Sequence, residues 1–208
     1  MGTRSLIVVV KNDEIKVAQY NQYDGYFECT GQLIKEFVQD KEKVNLLNKK
    51  LDLCRFLTKN EVDELDERIS NGEDIFKNFP QLSRSFGVDV LYYIIDQNEE
   101  TCLLDKRKFA LDSLFCEYAY VVNLDTKTVE FYLGLNTNKN ADFGRFKDLE
   151  NLLSEDEKYR TVALLKTYKF NKIPTMKYLA KLAKRFYEEN RLTNMVEYDI
   201  INMLKANI

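Results

Sequence analysis

The stretch from Phe115 to Leu133 limits most severely what this chain can fold into. Phe115-Cys116-Glu117-Tyr118-Ala119-Tyr120-Val121-Val122-Asn123-Leu124 is dense in aromatic and β-branched side chains. Asp125-Thr126-Lys127-Thr128 supplies turn residues, and Val129 to Leu133 returns as a second strand. Any fold of this chain therefore contains a central β-hairpin. A second hairpin is predicted at the start. Leu6 to Val10 is a short apolar run suited to a buried strand, Lys11-Asn12-Asp13-Glu14 is a turn, and Ile15 to Tyr20 alternates. A later strand is expected over about 161–170.

Helical signals fill the intervals. Thr30 is placed to cap a helix through Leu33, Ile34 and Phe37 that continues past Asp40 to about Leu53. Thr58-Lys59-Asn60-Glu61 reads as a capping box, its helix ending at Asn71-Gly72 with Val62, Leu65 and Ile69 as the buried stripe. Pro80 starts a further helix ending near Gly87, and Val88, Leu91, Tyr92 and Ile95 mark the next. Pro174-Thr175 opens another through Leu179, Leu182, Ala183 and Phe186, and Asn194-Met195-Val196-Glu197 caps a last one. The predicted class is α+β: an antiparallel sheet from two hairpins (about 5–20 and 115–134) plus the later strand, packed with helices. The 208 residues are expected to form a single domain with 175–208 as a C-terminal helical appendage.

Composition excludes several chemistries. The chain has no histidine, which removes Ser-His-Asp and Cys-His mechanisms and the usual zinc sites. Cys29, Cys54, Cys102 and Cys116 form no CxxC pair and are expected to be reduced, mostly buried thiols, a cytoplasmic pattern. Cys54, before Arg55, is the one weak candidate for a reactive thiol. The longest early apolar run, Leu6 to Val10, is too short for a signal peptide or a membrane span. No cofactor or metal is expected.

The formal charge of -3 conceals an uneven distribution. Glu61 to Asp105 carries 12 acidic and 3 basic residues, whereas Lys158 to Arg191 carries 10 basic and 2 acidic ones. The basic stretch has no nucleic-acid motif and little Arg clustering, so nucleic acid is not the expected partner. A solvated helix face opposing the protein's own acidic region is the preferred reading. Contact with an acidic host protein is the alternative, and the apolar C-terminal helices leave room for a homo-oligomer.

The loop Tyr20 to Tyr26 is the best candidate site. Three tyrosines, Asn21, Gln22, Asp24 and Gly25 stand within seven residues. Tyrosine rings such as Tyr20 and Tyr26 offer stacking faces with a hydroxyl at the rim, and the amides offer paired donors and acceptors. Asp24 suits a ribose or base as acceptor, and Gly25 lets a backbone approach a ligand. A packed turn in which Asp24-Gly25 closes the chain is the competing reading. Arg4 is the cationic companion, facing a ligand or paired with Asp24. Glu117 in its apolar strand needs a partner such as Arg4 or a tyrosine. Glu117 and Asp125 lie roughly 26 Å apart along an extended strand, too far for a catalytic carboxylate pair.

Met1-Gly2-Thr3-Arg4, followed by the hairpin and Tyr20-Asn21-Gln22-Tyr23-Asp24-Gly25-Tyr26, resembles a family of phage, bacterial and fungal proteins that opens with MGTR and carries a YNQxDGYP-like loop. Asp112 to Asp125 resembles that family's second block. Together the blocks cover about a quarter of the chain. Phe27 stands where the family usually has proline, so the loop is expected to be less rigid. The resemblance implies a shared organisation and brings no chemistry with it; it also implies a phage or prophage origin.

Together these features predict a non-enzymatic intracellular protein that binds a small polar or nucleotide-like ligand through Arg4, Tyr20, Asn21, Gln22, Asp24, Tyr26 and Glu117. Sequestration of a host defence signal would be a role of that kind. The enzyme alternative is an N-terminal-nucleophile-like amidohydrolase, whose mechanism needs no histidine and whose sheets tolerate this layout. It requires Thr3 to be exposed by cleavage, since removal of Met1 leaves Gly2.

Overall fold

All seven residues of the first strand, β1 (Ser5–Lys11), are buried, which requires a strand covered on both faces. In the computed structural model, which describes residues 2–189, β1 turns at Asn12 and Asp13 into β2 (Glu14–Asn21). Both turn residues have positive φ, 55° and 57°, the geometry whose twist matches a tight hairpin. The second hairpin joins β5 (Tyr118–Asn123) to β6 (Thr128–Leu133). The Asn123 amide oxygen closes its turn by accepting from the N–H groups of Asp125 and Thr126. The Asp125 carboxylate accepts from the N–H groups of Asn12 and Asp13, each at 2.8 Å, and so ties the two turns together. These donors hold the Asp125 carboxyl below its usual range.

With β7 (Ala163–Lys169) the sheet has the order β2-β1-β5-β6-β7. It is mixed rather than antiparallel. β1 and β5 pair in parallel, with Leu6 opposite Ala119 and Val8 opposite Val121. Each hairpin is local and legible, but the orientation of one hairpin to the other is set by the long helical crossover between them.

One face of the sheet, including Ile7, Val9, Tyr120, Val122 and Phe131, packs on helices. These are α1 (Gln32–Gln39), α2 (Lys41–Lys50), α4 (Asp89–Asp96) and α6 (residues 176–189), which contribute Ile34, Phe37, Leu47, Leu91, Ile94 and Leu179. The other face, with Leu6, Val8, Val121 and Tyr132, packs on Ala110, Phe146 and Val162, beside the short helix α5 (Lys147–Glu150). Among the described residues no second large sheet stacks on the first, so the sandwich expected by analogy with N-terminal-nucleophile hydrolases is not formed. The predicted last helix at Asn194 lies outside the described residues.

Three local expectations need correction. Thr30 does not cap a helix: its hydroxyl donates to the Asp24 carbonyl and accepts from Asn21, and a π-helical turn (Phe27–Gly31) leads into α1 instead. The helix also breaks at Asp40, whose carboxylate caps α2 through the N–H groups of Glu42 and Lys43. Finally, α3 (Lys59–Ser70) has the predicted capping box but buries none of its residues.

A second sheet, two parallel strands β3 (Cys54–Phe56) and β4 (Thr101–Leu103), was not anticipated. Past β4 the chain hooks onto the free edge of β2. Asp105 bridges Ala18, and the Lys106 N–H donates to the Ala18 carbonyl at 3.0 Å. This attachment carries Lys106 and the 3-10 turn Arg107–Leu111 alongside Tyr20.

Candidate functional site

The hook and α3 border a half-open cavity of about 660 Å³ at the C-terminal end of β2, within the size range of small-molecule sites. Tyr20 and Gln19 come from β2, Arg4 precedes β1, and Val62, Leu65, Asp66 and Ile69 come from α3. Phe76, Ser83, Arg84, Lys106, Phe109, Asp112 and Phe115 complete the lining.

The aromatic wall is ordered by edge-on packing, the Tyr20 and Phe109 ring centres being 4.8 Å apart. The arginines lie on rings rather than on acids. Arg4 sits 4.7 Å from the centre of Phe115, and Arg84 lies 5.7 Å from that of Tyr20. Gln22 braces the second pair: its Oε1 accepts from the Tyr20 hydroxyl at 2.5 Å and from Arg84 at 2.9 Å. The Arg84 carbonyl in turn accepts from the Gln22 N–H.

The charge arrangement is unusual for this molecule. Of the eight arginines between residues 2 and 189, five (Arg55, Arg68, Arg107, Arg145 and Arg160) are ion-paired. Among the described residues no carboxylate lies within ion-pairing distance of Arg4, Arg84 or the cavity's lysine, Lys106. The pairing of Arg4 with Asp24 considered from the sequence is thus not made. Asp66 and Asp112 also line the cavity, giving acceptors among the three cations.

The seven residues singled out in the sequence separate into two groups. Arg4 and Tyr20 line the cavity, and Gln22 supports it. Asn21 is buried and donates to Ser5 and Thr30, which fixes the chain rather than a ligand. Asp24 is exposed with φ 52°, its carbonyl held by Thr30. Tyr26 is exposed beside it, and the Asp24 charge raises the Tyr26 phenol above its ordinary value. Glu117 accepts the Arg4 main-chain N–H at 3.2 Å and does not line the cavity. Gly25 serves close approach within the chain: a side chain there would meet Arg4 and Ser5 at 2.8 Å. Tyr120 donates to the Gly25 carbonyl at 2.7 Å. Phe27 is buried edge-on against Tyr118, Tyr120 and Phe131, so this segment is anchored where a looser loop was expected.

Sequence reasoning missed Arg84, Lys106, Phe109, Asp112 and Phe115. Nothing in the local sequence marks them as neighbours of Tyr20.

Other chemistry is disfavoured by position. Cys54 is pushed up to about 11, chiefly by burial, and Arg55 beside it is committed to Glu61 and Glu100. Only Cys116 is fully buried; the other three thiols are partly exposed. Thr3 gives its carbonyl to the Gly25 N–H and is not among the residues lining the cavity. No group of three potential metal ligands occurs among the described residues, and no helix there is long and apolar enough to cross a membrane. No ion pair among the described residues joins the basic 158–189 stretch to the acidic 61–105 region. Comparison with family models, with curated proteins and with solved structures yields no match to this chain.

Proposed function

We propose that the cavity beside Tyr20 binds a small anionic, nucleotide-like ligand without turning it over. The observation that carries this reading is the set of cations Arg4, Arg84 and Lys106, none paired with a carboxylate among the described residues, around one concave, aromatic-lined space. Elsewhere among the described residues most arginines have a carboxylate; here the place of the acid is left to a ligand. Guanidinium groups suit phosphate because they present planar, paired donors. Tyr20, Phe109 and Phe115 supply flat apolar surface, while Asp66 and Asp112 accept from ribose hydroxyls or the amino group of a base. Binding without chemistry fits sequestration.

A thermal-shift screen of the full chain against nucleoside mono-, di- and triphosphates tests the reading. A binder raises the unfolding temperature by mass action, and an Arg84→Ala/Lys106→Ala variant abolishes that rise. A panel that leaves the wild-type unfolding temperature unchanged would refute the proposal.

A further inference from the structure

One part of the cavity wall is α3, a helix whose position is unusual for an amphipathic segment. Its apolar stripe, Val62, Leu65 and Ile69, recurs at helical spacing and normally would be covered by a core. None of the three is buried: Val62 and Leu65 are half-exposed and Ile69 is 39 % exposed. All three face the cavity. The polar face, with Asp63, Glu64 and Glu67, is exposed to solvent.

The helix is fastened at its ends. At its start Thr58 and Glu61 form the reciprocal capping box, and Arg55 grips both Glu61 oxygens at 2.9 and 2.7 Å. Just beyond its end Glu73 accepts from Arg68 through both oxygens, across Gly72, whose φ of 86° allows the reversal. Held in this way, α3 presents half-exposed apolar side chains to the same cavity that Arg4 and Arg84, lying on aromatic rings, also line. An anion alone satisfies the cations and leaves the stripe wet. A ligand with a flat, weakly polar body satisfies both walls, and burial of a Leu or Ile side chain adds substantially to binding.

We infer that Leu65 and Ile69 of α3 are the specificity-determining residues of the cavity, receiving the base of a nucleoside phosphate whose phosphate lies against Arg4, Arg84 and Lys106. This rests on the reading of the cavity as an anion site. It extends that reading by making the base, rather than the charge, the feature that selects the ligand.

Calorimetric titration with AMP, ribose 5-phosphate and inorganic phosphate tests it on the full chain. AMP is expected to bind at least about tenfold more tightly than ribose 5-phosphate. In Leu65→Gln/Ile69→Gln, which keeps good helix formers at both sites, AMP affinity falls to within about threefold of that of ribose 5-phosphate. Ribose 5-phosphate affinity stays unchanged. The single variant Ile69→Gln, at the more exposed position, repeats the trend in smaller measure and covers the case in which the double variant folds poorly. Equal wild-type affinities for AMP and ribose 5-phosphate, or a variant that keeps the wild-type ratio, overturn this inference and leave the anion site standing. Absence of binding by all three probes overturns both.

Discussion

Arg84 reaches across 64 residues of sequence to lie over the ring of Tyr20, and the two share Gln22 as a common acceptor. This contact joins the end of β2 to the segment after the 3-10 turn Pro80–Leu82 and sets one corner of the cavity. Arg84 is exposed, so its removal costs the fold little. Arg84→Ala is expected to leave the unfolding temperature near the wild-type value while weakening nucleotide binding about tenfold or more, the usual loss of a charged hydrogen bond. Thermal unfolding with and without nucleotide checks both halves.

Tyr120 is fully buried, and its hydroxyl donates to the Gly25 carbonyl. Tyr120→Phe leaves that carbonyl without its partner and is expected to destabilise the chain by about 1–3 kcal/mol. Urea unfolding measures the loss. Added nucleotide should still stabilise the variant, because the hydroxyl faces the loop backbone and is not part of the cavity.

The Arg160–Glu150 pair is nearly enclosed, with side chains 7 % and 10 % exposed. Glu150 also accepts the Thr161 N–H, and Arg160 also donates to the Ser154 carbonyl. Glu150→Ala strands a buried guanidinium and a main-chain donor together. A loss of about 3–5 kcal/mol is expected, read from the denaturant midpoint. A loss within experimental error would mean that water replaces the carboxylate.

Glu61 is held down to about 2, first by Arg55 and then by the N–H and hydroxyl of Thr58. A carboxyl depressed in the folded state stabilises that state fully above its unfolded value near 4.5 and loses the contribution as pH falls toward 2. The start of α3 is therefore expected to loosen between about pH 4.5 and 2. Amide exchange of residues 59–62, compared between wild type and Glu61→Gln, checks the direction. The variant should lack the acid-dependent step.

Much of the frame was legible in the sequence because its signals are local. Both hairpins, the Thr58 capping box and the strand near residue 165 rest on neighbouring residues. The parallel pairing of β1 with β5 was not legible, since alternation of side chains specifies which face is buried and not which strand lies alongside. The site was half legible for the same reason. Tyr20 and Arg4 were identifiable from residue type, but Asn21, from the same loop, serves the fold. Gly87, with φ 53°, leaves room for Asn21: a side chain there would meet its Oδ1 at 2.4 Å. The partners that turn Tyr20 into one wall of a cavity arrive from residues 84 and 106–115 through the hook at Ala18, a contact no local pattern encodes.

The most direct test of the central claim is a nitrogen-15 amide titration of the full chain with AMP. The account predicts saturable shifts concentrated at Tyr20, Arg84, Lys106, Phe109 and Phe115. The open groove lined by Lys41, Lys127 and Lys169 at the other end of the sheet should stay unchanged. Saturable shifts confined to that groove, or no saturable shift at all, would contradict it.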